Sequence, residues 1–262
     1  MSSALSPIDP NRPSAARIYD AYLGGTHNFA ADRAVADRAA EILPEVPLIA
    51  RANRDLLRRI VRYAAARGVH QFLDLGSGIP TENNVHQVAR EVAPDARVVY
   101  VDLDPTAVLY ARHLLGDDTQ TAIVRGDLRQ PAAILAAPEV RDLIDLGRPV
   151  AILMIAVLHF MPDGPELDAA LHAYREAVAP GSLLAISHVT TNGEPEPTAR
   201  IAELYNRTGT PLVVRDAART ARFFEGWRLV EPGLVPGPRW RPDDGPVSDA
   251  ERYLTLAGVA ER

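Results

Sequence analysis

The residues best suited to chemistry follow a short apolar run, in the segment Asp74 to Gly78 with the sequence DLGSG. Gly76 and Gly78 can adopt unusual dihedral angles and allow a ligand to approach the backbone closely. A dinucleotide fingerprint requires a third glycine three residues after Gly78, where this chain has Thr81. Asp74, two residues before the first glycine, favours a cationic ligand over a pyrophosphate, although it could simply bond to amides of the loop. S-adenosylmethionine, with a sulfonium, an ammonium and no phosphate, fits this pattern.

A second carboxylate follows the next apolar run of the chain. Asp102 ends the run Val98–Val101 and could accept two hydrogen bonds from ribose hydroxyls. Leu103 could then lie against the face of an adenine. Asp104 is better explained as the N-cap of a helix opened by a proline at position 105.

A third acid follows the third apolar run, at Asp127. Its carboxylate could accept a hydrogen bond from an adenine amino group, while the neighbouring amide of Leu128 approaches a ring nitrogen. Taken alone, Asp127 would more often be a turn residue. Because the carboxyl ends of parallel strands share one edge of a sheet, the three loops together predict one crevice for a nucleoside.

Candidate proton acceptors are few. His159 lies after the fourth apolar run and is the best candidate for a general base, although a lone histidine beside Phe160 more often packs or makes a backbone hydrogen bond. His188 and His27 are weaker candidates. Asp163 stands four residues after His159, but the intervening Pro162 interrupts the helix that would align them on a metal, so no metal site is predicted.

The elements that must position these residues alternate between strand and helix. Apolar runs at 71–75, 97–101, 121–124, 150–155 and 183–187 alternate with helical patterns at 81–93, 105–115, 131–135 and 164–178. Such alternation predicts an α/β fold with a mostly parallel sheet. Two late strands at 227–230 and 253–259 predict an antiparallel hairpin. Helical patterns at 15–23, 30–42 and 48–67 predict an N-terminal helical cap over residues 1–68, packed on a core of residues 69–262.

The composition excludes several kinds of chemistry. The chain of 262 residues has no cysteine and no lysine, so its 28 basic side chains of the lysine and arginine type are all arginines. Thiolate nucleophiles, cysteine-ligated metals, Schiff-base lysines and the P-loop lysine are therefore excluded. A net charge of −6 argues against nucleic-acid partners. No apolar segment approaches the roughly 20 residues that cross a bilayer, and no secretory signal is visible, so a cytoplasmic location is expected.

Motifs spread over nearly the whole chain carry a family resemblance, at 17–29, 52–54, 74–81, 84–86, 99–105 and 240–242. The chain resembles the bacterial S-adenosylmethionine-dependent methyltransferases formerly grouped as DUF574, within the class I Rossmann-like methyltransferases. The resemblance implies a seven-stranded Rossmann-like sheet and bound S-adenosylmethionine. It implies neither a known methyl acceptor nor a general catalytic residue. The sequence departs from the family pattern at Leu103, where a polar asparagine is usual.

The N-terminal motif predicts contacts to the methionine end of the cofactor. Tyr19 and Tyr22 share a helix face, and Asn28 can both donate and accept hydrogen bonds, although the tyrosines could simply pack the cap onto the sheet. Arg54 is the candidate partner of the cofactor carboxylate, although most arginines on its helix are expected to face solvent. The predicted cofactor-binding set is Tyr22, Gly25, Asn28, Arg54, Asp74, Gly76, Ser77, Gly78, Asp102, Leu103, Asp127, Leu128 and Ala156.

The sequence therefore predicts a methyltransferase acting on an unidentified, small acceptor. A non-catalytic protein that binds S-adenosylmethionine for regulation remains the alternative, because no base is evident. A nicotinamide-dependent oxidoreductase would need the glycine that Thr81 replaces. The sequence does not identify the acceptor atom or the oligomeric state.

Overall fold

The apolar runs form one mixed sheet in a computed structural model, which describes residues 8–80, 83–191, 195–208 and 210–262. The strand order is β3-β2-β1-β4-β5-β8-β6, and the short β7 also pairs with β8. Neighbours among β1 to β5 run parallel, whereas β8 is antiparallel to β5, β6 and β7. The strands are β1 Gln71–Leu75, β2 Arg97–Asp102, β3 Thr121–Arg125, β4 Ala151–Ile155, β5 Leu183–Val189, β6 Arg228–Leu229, β7 Val235–Pro236 and β8 Thr255–Glu261.

The register of the sheet aligns the carboxyl ends of the strands that carry the predicted site. Leu75 of β1 pairs with Val101 of β2, and Val101 pairs in turn with Val124 of β3. The chain order reverses at β1, which lies between β2 and β4. Open α/β sheets bind their ligands in the crevice outside such a reversal. The loops after β1, β2 and β4 therefore open onto one crevice.

Helices cover both faces of the sheet, because every second residue of a strand points to the same face. One core contains Phe72 and Val98 together with apolar residues of α3 and α4, and the other contains Leu73, Val99 and residues of α8. The helices are α1 Ala15–Tyr22, α2 Ala30–Ile42, α3 Val46–Ala66, α4 Val85–Val92, α5 Pro105–Leu115, α6 Pro131–Leu135, α7 Pro138–Leu143, α8 Pro165–Ala177, α9 Pro195–Asn206 and α10 Ala217–Ala221.

A third apolar cluster joins the N-terminal helices to α9. Ile18 of α1 and Ala39 of α2 are fully buried there with Ile201 and Tyr205 of α9. Helix α9 was not predicted from the sequence. The cap is therefore completed by a helix that lies more than a hundred residues later in the chain.

The predicted Rossmann-like α/β fold is confirmed, with some boundaries shifted. The late hairpin strands form β6 and β8, and the two-residue β7 adds an eighth strand. Helix α3 begins at Val46 because Pro47 occupies the first turn, where its missing N–H is not needed. Helix α4 begins at Val85, because the Asn84 backbone N–H donates to the Gln87 side chain in a capping box. Thr81 lies outside the described residues. Helices α7 and α10 were also not predicted.

Candidate functional site

The glycine loop after β1 is pressed between two neighbouring strand ends. Gly76 has a φ of +78°, and its N–H donates to the Val101 carbonyl oxygen at 2.8 Å. A Cβ at Gly76 would lie 2.3 Å from Cγ2 of Val157, so only glycine fits. The Gly78 N–H donates to Oδ2 of Asp102 at 2.7 Å. The loop is thereby fixed against both β2 and the loop that follows β4.

Asp102 organises the end of β2. Its Oδ1 accepts the Asp104 N–H at 2.8 Å, while Oδ2 accepts that of Gly78. Burial raises the pKa of Asp102 to about 6, and the backbone hydrogen bonds from Asp104 and Gly78 oppose this effect. The next side chain, Leu103, is 57% exposed, which is unusual for a leucine beside a crevice. The side chain of Asp104 accepts the Thr106 N–H at 2.7 Å and caps α5, as predicted.

Asp74 lies at the bottom of the crevice, in a cavity that it shares with Arg54, Ser77 and Gly78. Burial raises the pKa of Asp74 to about 7, nearby Arg54 lowers it, and Asp102 raises it further. Oγ of Ser77 is buried and has no hydrogen-bond partner among the residues that the structure describes. Two carboxyl groups that resist ionisation and one orphaned hydroxyl fit a ligand that carries positive charge and hydrogen-bonding groups.

We expect the affinity for S-adenosylmethionine to rise with pH between about pH 5 and pH 8 and then level off. A cationic ligand binds the ionised Asp74 better, whereas burial keeps this carboxyl protonated up to a pKa of about 7. Binding therefore releases a proton at lower pH. Calorimetry in buffers of different ionisation enthalpy measures both the affinity and the released proton. Asp74→Asn is the control, which should remove the rise above the pKa of Asp102, about 6, and a flat profile in the unchanged protein would refute the expectation.

The raised pKa of Asp74 has the opposite effect on the stability of the protein without ligand. A carboxyl whose pKa is higher in the folded than in the unfolded state binds its proton more tightly when folded. The stability contributed by Asp74 is therefore fully present below the unfolded pKa and is lost as the pH rises through about 7. Ligand binding and unliganded stability thus respond to pH in opposite directions.

A second, larger cavity adjoins the crevice. Its free space, counted together with the solvent at its open mouth, is about 800 Å³, and it is lined by α1, α3, α9, the loop after β4 and the carboxyl end of β5. Asn53 and Ala156 line this cavity, whereas Arg54, the next residue of α3, lines the first one. The two cavities therefore share α3 as a wall. Tyr22 belongs to the second cavity, where its hydroxyl lies 2.9 Å from that of Tyr205.

A chain of hydrogen bonds crosses the boundary between cap and sheet. The Ala156 N–H donates to Oγ of Ser187 at 2.9 Å, and this hydroxyl donates to Oδ1 of Asn53 at 2.6 Å. Nδ2 of Asn53 donates to the Tyr19 hydroxyl at 3.2 Å. Ala156 has a φ of +56°, a left-handed conformation that is costly for alanine and common at functional sites. Sequence reasoning missed Ser187, and its only signal for Asn53 was the family motif at 52–54.

His159 and His188 line the second cavity with different partners. His188 uses both ring nitrogens: Nδ1 lies 2.6 Å from the Val189 carbonyl oxygen, and Nε2 accepts a hydrogen bond from Arg215 at 2.8 Å. His159 is 5% exposed, and in the described part of the chain its Nδ1 has no hydrogen-bond partner. Burial, His188 and Arg215 together hold the pKa of His159 well below its usual value. His159 is therefore neutral and has an unused nitrogen.

A buried arginine fixes the loop that carries His159. Arg215 donates to the carbonyl oxygens of Leu158 at 3.1 Å and Met161 at 2.7 Å, and to Oδ1 of Asp163 at 2.7 Å. Its side chain is fully buried, whereas that of Asp163 is about half exposed. Arg215 was not predicted from the sequence. The Asp163 carboxylate is held by arginines rather than by His159.

The predicted residues of the N-terminal motif stabilise a loop around Asp20. Nδ2 of Asn28 donates to Oδ2 of Asp20 and to the Gly25 carbonyl oxygen, both at 2.8 Å. A Cβ at Gly25 would lie 2.1 Å from the Asp20 carboxylate. The His27 ring packs on Tyr110 of α5. These contacts give Gly25 and Asn28 a structural role in the loop, and their contact with a cofactor stays a prediction.

The acid after β3, Asp127, forms its hydrogen bonds with the nearby Arg129. Oδ1 of Asp127 accepts both the backbone N–H and the Nε–H of Arg129 at 3.0 Å. These bonds lower the pKa of Asp127 against the effect of its partial burial. The Leu128 carbonyl oxygen accepts the Tyr174 hydroxyl at 3.0 Å. Asp127 thus has the geometry of a turn residue, and an adenine contact there stays a prediction.

Neither a metal cluster nor a membrane-spanning helix occurs in the part of the chain that the structure describes. Within residues 8–80, 83–191, 195–208 and 210–262, no group of three or more histidine, aspartate or glutamate side chains could hold a metal ion. Over the same ranges, none of the helices combines the length and the apolar character needed to cross a bilayer.

Comparisons with known proteins agree with this fold. A family model described as S-adenosyl methyltransferase matches residues 1–262. A candidate methyltransferase from Thermobifida fusca is 41% identical, with a TM-score of 0.91 and 96% of each chain covered. A DUF574 family protein from Streptomyces avermitilis is 40% identical, with a TM-score of 0.93, 98% of this chain covered and 100% of that one. The N-methyltransferase NodS of Bradyrhizobium japonicum, 16% identical over 82% of this chain and 96% of that one with a TM-score of 0.50, shares the fold alone. No curated protein matches.

Proposed function

The chain belongs to the S-adenosyl methyltransferase family, and from that premise we propose that it methylates a small molecule held in the second cavity. Its cofactor is S-adenosylmethionine. We assign the cofactor to the first crevice and the acceptor to the cavity under the cap.

The contact between the two cavities at the end of β4 carries this proposal. Val157 packs against Gly76 of the glycine loop, while the preceding Ala156 lines the second cavity. A donor in the glycine-loop crevice and an acceptor under the cap therefore meet at this loop. Its backbone is fixed by the hydrogen bond from Ala156 to Ser187 and by Arg215.

The cofactor supplies a methyl group on a sulfonium, which is transferred by direct displacement. Such a step depends on alignment and on the exclusion of water, and it needs no protein nucleophile. Asp74 and Arg54 are proposed to hold the charged methionine end, while Asp102 binds the ribose and Leu103 covers the adenine. Helices α1 and α3, together with α9, are proposed to exclude water from the acceptor.

Transfer of a labelled methyl group tests the proposal. We expect the protein, incubated with methyl-labelled cofactor and an extract of the cells that produce it, to put label into a low-molecular-weight fraction. Asp102→Ala should abolish this label, whereas Asp104→Ala, which removes the cap of α5 and a 3.9 Å ion pair with Arg17, should retain it. Label that stays on the cofactor in every extract, despite cofactor binding by calorimetry, would instead support the non-catalytic alternative.

A further inference from the structure

The second cavity is apolar and lacks formal charge. Aliphatic and aromatic side chains of α1, α3 and α9 make up most of its wall, and its polar groups are hydroxyls, one amide and two histidines. No aspartate, glutamate or arginine lines it among the described residues. Burial keeps both histidines neutral, since the pKa of His159 lies well below its usual value and that of His188 is about 4.

We propose that this cavity binds an uncharged aromatic acceptor whose phenol-type hydroxyl donates a hydrogen bond to Nδ1 of His159. This inference rests on the proposed function and specifies its acceptor. The aromatic part is supported by Phe160 and Tyr205, whose rings lie 5.9 Å apart in the wall and are tilted by 32°. Such rings favour stacking with a flat partner.

Charged acceptors are disfavoured by the electrostatics of the site. An aliphatic amine is protonated at neutral pH and would enter beside a sulfonium and near Arg215, without a carboxylate in the wall. A carboxylate would lose its hydration without gaining a counterion from the cavity wall. A phenol has a pKa near 10, so it enters neutral and gives up its proton only during transfer.

Nδ1 of His159 matches the one hydrogen bond that such an acceptor must make. This nitrogen is buried, belongs to a side chain that lines the cavity and has no partner within the described ranges. In the tautomer with the proton on Nε2, it accepts the hydroxyl hydrogen. The other polar ring nearby, His188, is already occupied by Arg215 and Val189.

The proton balance is closed within the site. The bond between methyl carbon and sulfur breaks, the bond between methyl carbon and phenol oxygen forms, and the hydroxyl proton moves to Nδ1 of His159. One positive charge disappears from sulfur as one appears on the imidazole, so the net charge of the site is unchanged. Arg215 and His188, which both lower the pKa of His159, then favour release of this proton.

Binding of matched probes to the protein saturated with S-adenosylhomocysteine tests the charge preference. We expect 2-naphthol to bind at least about tenfold tighter than 2-naphthoate or 2-naphthylmethylammonium, because neither ion finds a counterion. Fluorescence titration measures all three affinities in the unchanged protein. Equal or tighter binding of either ion overturns the inference.

A second titration isolates the His159 contact. His159→Phe keeps an aromatic ring but removes Nδ1, so we expect 2-naphthol to bind about 3- to 10-fold more weakly and naphthalene, which lacks the hydroxyl, to bind unchanged. His113→Phe is the matched control, because this exposed histidine of α5 does not line the cavity, and it should leave both affinities unchanged. Equal losses for both probes, or no loss for either, refute the contact. Calorimetry with S-adenosylhomocysteine is separate: its failure contradicts the proposed function, not the acceptor class.

Discussion

Replacing Arg215 with leucine is expected to lower the free energy of unfolding by about 3 kcal/mol. Leucine fills part of the space but leaves the carbonyl oxygens of Leu158 and Met161 and Nε2 of His188 without their donor. Each such buried acceptor costs about 1–3 kcal/mol, and the protein recovers part of this by local rearrangement. Urea unfolding followed by circular dichroism measures the change.

The matched control is Arg219→Ala. Arg219 also pairs with Asp163, but its side chain is about half exposed, so the pair contributes about 0–1 kcal/mol. Similar losses for the two variants would show that the ion pair, rather than the buried carbonyl contacts of Arg215, determines the stability of this loop. Because the loop carries His159, the leucine variant should lose more affinity for the acceptor than for the cofactor.

Replacing Asp102 with alanine is expected to weaken S-adenosylmethionine binding by about 100-fold or more. The carboxylate fixes the glycine loop through the Gly78 N–H and is the proposed acceptor for the ribose hydroxyls. Hydrogen bonds to a charged group contribute about 1.5–3 kcal/mol each, so the loss of two is sufficient. Calorimetry with S-adenosylmethionine and S-adenosylhomocysteine should show similar losses, since both contain the ribose.

Asp104→Ala is the control for Asp102. It removes the side chain that caps α5, which should cost about 1 kcal/mol of stability while the cofactor affinity is retained. If Asp102→Ala binds S-adenosylmethionine with unchanged affinity, Asp102 does not bind the ribose. A loss confined to S-adenosylmethionine would instead mean that Asp102 acts through charge alone.

The crevice could be predicted because its residues stand at the ends of strands. Apolar runs mark β1 and β2, parallel pairing brings their carboxyl ends together, and so Asp74 and Asp102 meet. Local patterns are sufficient for this step. The same reasoning finds the N-cap of α5, because capping depends only on neighbouring residues.

The second cavity could not be predicted, because its walls come from distant parts of the chain. Asn53 and Ser187 bond to each other although 134 residues separate them. Helix α9 begins with prolines in its first turn, a pattern that is also typical of a loop, and its apolar face is defined only by its packing against the N-terminal helices. No local feature distinguishes Arg215 from the other arginines, since its burial follows from the carbonyl groups that converge on it.

The adjacent positions of Asn53 and Arg54 on α3 have a thermodynamic consequence. Asn53 lines the cavity that we propose for the acceptor and Arg54 lines the crevice that we propose for the cofactor, so a rotation or shift of the helix alters both at once. If one ligand changes the affinity of the protein for the other by some factor, the second ligand changes the affinity for the first by the same factor. The order in which the two ligands are added therefore changes the path to the ternary complex but not its total binding free energy. Any coupling between them passes through one turn of α3.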